Sequence, residues 1–504
     1  MTATMPTATH AADVHGGADA ALREWTALAG CPRQLFVGGR WRPARSGATL
    51  AVEDPATGAT ICTVADAGAA DAADALTAAH QAQAAWGATP ARDRARVLRR
   101  AADDLLSRTD DLAMLITLEM GKPLAESADE VAFAAQYLEW CAEEAVRICG
   151  MSGDAPDGSA RVVTRRRPVG PCLVVTPWNF PLAVPARGVA AALAAGCTAI
   201  LRPSALTPLS ALALAAVLDG AGLPAGALSV IVSSQDGATD GLLADPRLRK
   251  LTFTGSTAVG RHLIAASADQ VLRVSVELGG QAPFIVLGDA DLDAAVDGAV
   301  AAKMRNGAQA CTAANRFYVD RPLAGEFTRR LTERLAALRI ARGTEPGAQL
   351  GPVIGERQRT RLQDLVDDAR ARGARLALDG GSLPGDGHFF APVVLTDVPA
   401  DARVMHEEIF GPIAPVATVD GEADAIAHAN RCDQGLAAYL YTSDLDAALR
   451  IGDALEVGMI AINRGRVSSA ATPFCGVKQS GHGQTGGPGA LDDYLETRVL
   501  TIAA

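Results

Sequence analysis

The segment NGAQACTAANR, residues 306–316, places one cysteine, Cys311, among small polar residues. A cysteine attacks a carbonyl carbon when its thiol pKa is lowered enough to form a thiolate. Most free cysteines, however, are small buried hydrophobic residues without reactivity. The polar, glycine-containing neighbours of Cys311 favour exposure of its thiol. Taken alone, they do not distinguish a nucleophile from a structural residue.

Two other segments carry side chains that suit carbonyl chemistry. VELGGQAPF, residues 276–284, puts Glu277 at a predicted strand end before two glycines, where a carboxylate can act as a general base. TPWNFP, residues 176–181, holds Asn179, whose amide can donate to a developing oxyanion. The alternatives are a strand-terminal salt bridge for Glu277 and a turn in which Asn179 bonds its own backbone.

A glycine-containing turn indicates a possible phosphate site. FTGSTAVG, residues 253–260, follows a predicted strand, opens a predicted helix and contains Gly255 and Gly260. Backbone N–H groups at a helix N-terminus bind pyrophosphate well. The segment is not GxGxxG, so a plain strand-to-helix turn remains an equal alternative.

Composition excludes several classes of protein. The 504 residues carry a net charge of −11, which argues against a general nucleic-acid-binding surface. The nine cysteines form no CxxC pair and there is no HExxH, so no metal site is predicted. Scattered free thiols favour a reducing, cytoplasmic location. Residues 1–20 have neither the basic start nor the apolar core of a secretory signal, and we expect a flexible tail there.

The order of predicted elements indicates an α/β fold. Short strands and turns at residues 35–60 precede a helical region that Gly121 and Pro123 end, and a second helical pattern at 125–149. From residue 150, strands such as CLVVTPW and CTAILRPS alternate with helical segments, which is typical of a parallel sheet with its ligand at the carboxyl ends of the strands. A second alternation runs from about 278 to 470, and LDDYLETRVLTIAA reads as a short final strand.

Six segments in order resemble the aldehyde dehydrogenase superfamily: TPWNFP, FTGSTAVG, ELGG, NGAQAC, EEIFGP and PFCGVKQSGHG. The similarity extends from about residue 35 to 504. Within the superfamily, YLEWCAEEAVRICG and SSAATPFCGVKQSGHGQ are most similar to succinate-semialdehyde dehydrogenases.

The resemblance implies an aldehyde dehydrogenase-like fold with a Rossmann-like cofactor domain, a second α/β catalytic domain and a small β oligomerisation element. The expected NAD(P)-binding domain covers residues 21–146 and 168–277, and the catalytic domain 278–485. Residues 147–167 and 486–504 would form the oligomerisation hairpin and C-terminal strand. A homodimer or homotetramer is expected.

The resemblance also implies a mechanism. Cys311 would attack the aldehyde, while the Asn179 amide and the Cys311 backbone N–H hold the oxyanion. After hydride transfer to the nicotinamide, Glu277 would activate the water that hydrolyses the thioester. CoA-acylating relatives usually lack this glutamate, so Glu277 favours a free acid as product. The positions that match cofactor-contacting residues are Trp178, Gly255, Ser256, Glu408 and Phe410.

Two arginines narrow the expected substrate. Arg187 lies in the otherwise apolar helical segment VPARGVAAALAAG, and Arg305 precedes Cys311 by six residues. In semialdehyde-type members, arginines at both positions grip the distal carboxylate, which a guanidinium binds through two parallel hydrogen bonds. Ser468 or Ser469 matches a loop serine that binds the same carboxylate. The alternative is that the arginines pair with internal carboxylates.

The cofactor preference rests on a departure from the family pattern. The usual KPxE is RPSA here, with Arg202, Ser204 and Ala205. Many NAD-preferring members have a glutamate at position 205, which binds the ribose 2′-hydroxyl and repels a 2′-phosphate. Its absence favours NADP, with NAD as the alternative.

Further departures concern the loops at the site. Ala308 stands where the family has glycine, and its methyl group matters if that position needs a positive φ. Cys475 replaces a glycine and is a possible redox partner of Cys311. Arg464 and Arg466 are extra charges that would widen specificity or merely face solvent. The predicted reaction is oxidation of succinate semialdehyde. The alternatives are glutarate semialdehyde or a broader range of aldehydes, a thiol esterase, or an inactive binding protein.

Overall fold

The computed structural model describes residues 22–235 and 237–503. The flexible tail predicted for residues 1–20 lies outside this range. Among the described residues, no helix is both long enough and apolar enough to cross a membrane.

The first part of the chain contains most of one sheet and the helices that cover it. Its elements are β1 (Leu35–Val37), β2 (Arg40–Arg42), β3 (Thr49–Asp54), β4 (Ala59–Ala65), α1 (Ala69–Ala88), α2 (Ala91–Ser107), α3 (Thr109–Met120), α4 (Leu124–Ala145), β5 (Ser152–Asp154), β6 (Ala160–Pro168), β7 (Cys172–Val175), α5 (Ala183–Ala195), β8 (Ala199–Arg202), α6 (Leu209–Gly220), β9 (Leu228–Val230), α7 (Gly237–Leu243), β10 (Lys250–Thr254), α8 (Thr257–Ser267) and β11 (Arg273–Glu277).

The second part has the same layered plan. Its elements are β12 (Pro283–Val286), α9 (Leu292–Met304), β13 (Arg316–Asp320), α10 (Arg321–Ala336), α11 (Glu356–Ala371), β14 (Arg375–Leu378), β15 (Gly381–Ser382), β16 (Phe390–Ala391), β17 (Val393–Thr396), β18 (Ile413–Val419), α12 (Gly421–Asn430), β19 (Gln434–Gly435), β20 (Ala437–Tyr441), α13 (Leu445–Ala454), β21 (Met459–Ile462), β22 (Val477–Lys478), β23 (Gly481–His482) and β24 (Leu495–Ala503), with short 3-10 turns at Arg305–Ala308, Arg403–Met405 and Asp492–Tyr494.

The first sheet has eight strands in the order β2-β1-β9-β8-β7-β10-β11-β23. Its central strands β9, β8, β7, β10 and β11 run parallel. The sequence CLVV of β7 is buried at every position, because helices cover both faces of the sheet and no face needs polar residues. The carboxyl ends of these strands therefore open on one edge, as the alternation of strands and helices predicted.

The second sheet has seven strands in the order β14-β17-β18-β13-β12-β20-β21. All its pairs are parallel except the edge pair of β14 with β17. Phe284 of β12 is fully buried and packs against Phe317, Tyr439 and Tyr441 of neighbouring strands. This aromatic cluster fixes the layer beneath the segment that carries Cys311.

A third sheet, β24-β6-β5, is antiparallel. β24 is longer than the short strand expected from the sequence, because its nine residues pair with β6 along the whole of that strand. Val499 and Ile502 of β24 are exposed apolar side chains. The predicted domain bounds stay a prediction. β23 lies inside the predicted catalytic segment 278–485, but it pairs with β11 of the first sheet.

Candidate active site

Three segments converge where parallel strands of the first sheet end. β10 and β11 pair so that Thr254 lies opposite Glu277, the last residue of each strand. The loop after β7 carries Asn179 to the same edge. Glu277 and Asn179, which are remote in sequence, therefore line one cavity together with Cys311. Parallel strands bring their carboxyl ends together, so this convergence follows from the fold.

The segment before Cys311 forms a left-handed turn. Asn306, Gly307 and Ala308 have φ angles of 54°, 59° and 62°. Only glycine adopts this conformation without cost, so the buried Ala308 carries backbone strain. Position 308 therefore does have a positive φ, at which the methyl group of alanine is unfavourable. The turn is held by the Glu126 carboxylate, which accepts from the Asn306 N–H at 2.6 Å.

A buried polar cluster supports the turn and the loop that carries Asn179. Lys122 Nζ donates to the Asn179 carbonyl at 2.9 Å and forms an ion pair with Glu130. The other Glu130 oxygen accepts from the backbone N–H groups of Leu182 and Ala183 at 2.9 and 3.1 Å. The Asn306 side-chain amide also donates to the Asn179 carbonyl, at 2.9 Å.

The sequence analysis did not identify Lys122, Glu126 and Glu130, which we call the support cluster. Glu126 and Glu130, four residues apart in α4, lie on one face of that helix, whereas Lys122 precedes the helix. Only the packed structure shows that Lys122 and Glu130 are buried, since they are 2% and 3% exposed.

The cavity at Cys311 has a volume of about 370 Å³. Most of the predicted site residues line it, whereas Ser469 lines an adjoining cavity. Those on the wall of the Cys311 cavity are Trp178, Asn179, Arg187, Gly255, Ser256, Glu277, Arg305, Cys311, Glu408, Phe410 and Ser468.

The electrostatic surroundings of Cys311 and Glu277 both favour the neutral forms. Burial, with the carboxylates of Glu408 and Glu277 nearby, raises the pKa of the Cys311 thiol to about 12, and Arg187 opposes this. The lowered thiol pKa required for direct attack is therefore not present in this arrangement. Burial raises the pKa of Glu277 to about 8, and neither of its oxygens has a hydrogen-bond partner among the described residues. Glu277 can therefore take up a proton near neutral pH.

The Asn179 side chain is aimed at the nucleophile segment. Its amide nitrogen donates to the Gln309 carbonyl at 2.9 Å, two residues before Cys311. A primary amide has two N–H donors, so one remains for an oxyanion. The Asn179 carbonyl is held by Lys122 and Asn306, which restricts the orientation of the whole residue.

The part of the cavity wall formed by Glu408, Trp178 and Phe410 suits a nicotinamide dinucleotide. Burial raises the pKa of Glu408 to about 7, and one of its oxygens accepts from the Gly280 N–H at 3.3 Å. A Cβ at Gly279 would lie 2.4 Å from a carboxylate oxygen of Glu408, so a larger residue there would displace that side chain. Trp178 and Phe410 meet edge to face at 5.3 Å beside it. The Glu408 carboxylate can accept a hydrogen bond from a sugar hydroxyl, and the Trp178 and Phe410 rings can pack against a flat ring.

Ser256 caps the N-terminus of α8, where its hydroxyl accepts from the Val259 N–H. The remaining backbone donors of that first turn are suited to a phosphate group. Gly255 precedes the cap, and a Cβ there would lie 2.4 Å from the Phe253 ring. The predicted strand-turn-helix around FTGSTAVG is present as β10 followed by α8.

Arg202, Ser204 and Ala205 lie at and after the end of β8, and none of them lines the Cys311 cavity within the described chain. Arg202 donates to the carbonyls of Ser233 and Gln235 at 3.3 Å. The Ser204 hydroxyl accepts from the Leu206 N–H at 3.2 Å.

The two predicted substrate arginines stack on aromatic rings. The Arg187 guanidinium lies 4.5 Å from the Phe474 ring centre and donates to the Thr254 hydroxyl at 3.3 Å. The Arg305 guanidinium lies 4.7 Å from the Phe180 ring centre. In the described part of the chain, no carboxylate oxygen is within 4.0 Å of either group. The alternative of internal ion pairs therefore finds no support in this geometry.

Cys475 Sγ lies 3.7 Å from the Gly458 carbonyl, and its pKa is raised by burial and by Glu277. Cys475 does not line the Cys311 cavity as the described residues define it. A redox partnership with Cys311 therefore gains no geometric support.

Residues 41–500 match the model of the aldehyde dehydrogenase family. The chain belongs to the aldehyde dehydrogenase family. This membership confirms the family and the enzyme class predicted from the six segments.

Two curated relatives and one solved structure define the similarity further. The chain is 50% identical over 84% of its length to a succinate-semialdehyde dehydrogenase of Paenarthrobacter nicotinovorans, of which it covers 95%. It is 44% identical over 94% of its length to a glutarate-semialdehyde dehydrogenase of Pseudomonas putida, of which it covers 98%. The crystal structure of an NADP-dependent enzyme of E. coli superimposes with a TM-score of 0.93 at 42% identity, covering 94% of this chain and 98% of that one. The predicted fold class is thereby confirmed.

Proposed function

We propose that this aldehyde dehydrogenase oxidises a short ω-oxo acid, succinate semialdehyde above all, to the corresponding diacid. The observation that carries the proposal is the presence of Arg187 and Arg305 on the wall of the Cys311 cavity without a carboxylate partner within 4.0 Å in the described chain. A buried guanidinium without a counter-ion is costly, and a substrate carboxylate would relieve that cost. Ser468 on the same wall adds a hydroxyl donor.

The first chemical step depends on the protonation states of Cys311 and Glu277. Because the Cys311 thiol is protonated at neutral pH, its attack on the aldehyde carbon requires a proton acceptor. The carboxylate form of Glu277, which becomes available as the pH rises through its pKa of about 8, is suited to accept that proton, because neither oxygen has a hydrogen-bond partner among the described residues. The free N–H of the Asn179 amide and the Cys311 backbone N–H are proposed to stabilise the oxyanion that forms.

The oxidised nicotinamide, when bound, supplies the acceptor for the hydride that leaves the substrate carbon. The residues Glu408, Trp178 and Phe410 are proposed to hold its ribose and ring. Cys311 is left acylated as a thioester. Glu277 then releases the thiol proton to solvent and takes a proton from water as the water oxygen attacks the thioester carbon. It returns this proton to the sulfur, so that Cys311 leaves as the thiol.

NADP is the proposed cofactor, with NAD as the alternative. Ala205 has no carboxylate that would repel a 2′-phosphate. Arg202 and Ser204, within three residues before it, supply a positive charge and a hydroxyl group. The NADP-dependent E. coli structure described above is consistent with this choice. Competition between NAD and NADP for the free enzyme, read as the ratio of kcat/KM values, tests it.

A homodimer or homotetramer is proposed, built through β5, β6 and β24. The exposed apolar residues Val499 and Ile502 on β24 support this assignment, because exposed apolar strands invite pairing. Sedimentation of the purified chain, compared with a variant truncated before residue 495, would measure the oligomeric state and its dependence on β24.

Glutarate semialdehyde is the second candidate substrate. The similarity to a glutarate-semialdehyde dehydrogenase and the adjoining cavity that shares Arg305 and Ser468 with the site favour it. One methylene group separates the two substrates and changes binding only modestly in an apolar pocket.

The deciding experiment measures cofactor reduction with succinate semialdehyde, glutarate semialdehyde and butanal, each with NAD and NADP. We expect the two acids to exceed butanal in kcat/KM by at least about tenfold, since one good carboxylate–guanidinium contact contributes more than about 1.4 kcal/mol. Arg187→Gln should remove that preference. Equal rates for acids and butanal would reject the carboxylate site, and hydrolysis of a thioester or ester without any cofactor reduction would favour the esterase alternative.

A further inference from the structure

A second cavity of about 710 Å³ adjoins the cavity at Cys311. The two share Phe133, Phe180, Arg305 and Ser468 on their walls, so Arg305 stands at the junction. Exposed residues, Asp129, Arg464 and Arg466 among them, also line the outer cavity, so it leads from the substrate site toward the protein surface, and we call it the outer channel.

The acidic side of the outer channel lies on α4. Three carboxylates, Glu126, Asp129 and Glu130, are on its wall. Glu126 is occupied by the Asn306 N–H, and Glu130 by Lys122 and two backbone donors. Of the three, Asp129 alone makes no hydrogen bond to a backbone N–H group or to Lys122 among the described residues. Its side chain is 72% exposed.

The basic side of the outer channel lies on the loop after β21. It carries Arg464 and Arg466, both exposed. Arg466 reaches Asp129 across the channel at 3.9 Å, with its side chain 55% exposed. An ion pair this long and this exposed contributes little to stability, because water and salt screen it. An incoming carboxylate can therefore displace Asp129 from Arg466 at low cost.

Arg466 also acts on Arg305. The pKa of the Arg305 guanidinium is lowered by burial and next by the positive charge of Arg466. Arg305 and Arg466 thus lie along one channel, and Asp129 is the single carboxylate paired with either of them in the described chain. Arg464, which lies two residues from Arg466, acts on Arg305 less strongly than Arg466 does.

We propose that Arg466 is a specificity-determining residue that binds the carboxylate of an incoming ω-oxo acid in place of Asp129 and passes it inward to Arg305. This inference rests on the proposed function. With the aldehyde carbon fixed at Cys311, each added methylene moves the distal carboxylate outward along the channel. The contribution of Arg466 therefore grows with chain length, and it favours acidic aldehydes longer than succinate semialdehyde.

The test compares Arg466→Gln with Arg464→Gln, a matched control that removes the same charge from the same loop. For Arg466→Gln we expect kcat/KM with glutarate semialdehyde to fall about fivefold, through KM, as for the loss of one partly screened ion pair. The fall with succinate semialdehyde should be smaller, and butanal should be unaffected. Asp129→Asn should raise kcat/KM for both acids, because it removes the competitor for Arg466.

High salt should weaken the acid preference of the wild type more than that of Arg466→Gln. Equal effects of Arg464→Gln and Arg466→Gln, or an equal loss for butanal and for the acids, would overturn the inference. These results are distinguishable from failure of the proposed function, in which the wild-type enzyme would itself show no preference for acids over butanal.

Discussion

Two sets of polar residues lie near Asn179, and they differ in whether their polar atoms have hydrogen-bond partners. The support cluster of Lys122, Glu126 and Glu130 is bonded to itself and to the backbone of the loops it holds. Glu277, on the other side, is buried with neither oxygen bonded among the described residues. Arg305 likewise lacks a carboxylate within 4.0 Å in the described chain.

The contrast separates structural from reactive groups. A buried polar atom without a partner costs free energy, so a fold keeps few of them. Paired groups such as Lys122 hold backbones at defined positions. Unpaired groups such as Glu277 and Arg305 are free to take a proton, a water molecule or a substrate carboxylate. The same burial therefore serves rigidity on one side of Asn179 and chemistry on the other.

The strongest test of the reactive side is Cys311→Ala. Turnover of succinate semialdehyde should fall on the order of a thousandfold or more, as for loss of a covalent nucleophile. Cofactor binding, followed by fluorescence quenching, and thermal stability should remain close to the wild type. Retention of even a tenth of the activity would show that the chemistry does not pass through Cys311.

The strongest test of the supporting side is Lys122→Met. It leaves the Glu130 carboxylate buried without its cation, so the free energy of unfolding should fall by about 3 kcal/mol or more. Urea denaturation measures the change. The comparison variant is Lys303→Met, because Lys303 is also buried but its Nζ has no hydrogen-bond partner among the described residues.

Burial lowers the pKa of Lys303 to about 7, below its unfolded value, so this lysine costs stability at pH 7 and below. Lys303→Met should therefore leave the free energy of unfolding unchanged or raise it. Similar losses for Lys122→Met and Lys303→Met would contradict the distinction between paired and unpaired buried charges.

Glu277→Gln tests the general base in both chemical steps. The first burst of reduced cofactor should slow and the steady-state rate should fall about a hundredfold, because the variant has no carboxylate to accept the proton of the Cys311 thiol or of water. In the wild type, the Glu277 carboxylate is the active form and its pKa is about 8. The hydrolytic rate should therefore rise with pH and level off once the pH exceeds that pKa. Stopped-flow measurements across pH test both points, and an unchanged steady state would remove Glu277 from the hydrolytic step.

The same pKa has a stability consequence. Because the folded pKa of Glu277 lies above its unfolded value, the native state binds the proton more tightly, and stability falls as pH rises from about 4.5 to 8. Glu277→Gln removes this dependence. Its melting temperature should exceed that of the wild type by more at pH 9 than at pH 5. A constant difference across this range would argue against a buried, unpaired carboxylate.

The smallest expected effect is that of Ala308→Gly. Ala308 has a φ of 62°, so glycine should relieve backbone strain and stabilise the fold by about 1 kcal/mol. The matched change at Ala310, whose φ is not positive, should destabilise the fold instead. Thermal melts of both variants measure the two signs. If both changes lowered the melting temperature, the left-handed turn would carry no strain at Ala308.

Most of the candidate site could be predicted from short segments because their order along the chain is specific. Cys311, Glu277 and Asn179 were identified in this way, and so were Arg187 and Arg305. Lys122, Glu126 and Glu130 were not, since charged residues at and just before the start of a helix are usually exposed to solvent. Their burial depends on the packing of α4 against α5 and the Asn179 loop, which no local pattern encodes.

The sequence by itself determined the class of fold, the alternation of strands and helices and the types of residue available for chemistry. It also raised the question of backbone geometry at Ala308. The tertiary structure decided which of these residues share a cavity and which are paired. It set the pKa of Cys311 and Glu277 through burial, and it brought Arg466 opposite Asp129 across the outer channel. Burial and charge proximity are properties of packed surfaces, so they exist only once distant segments have met.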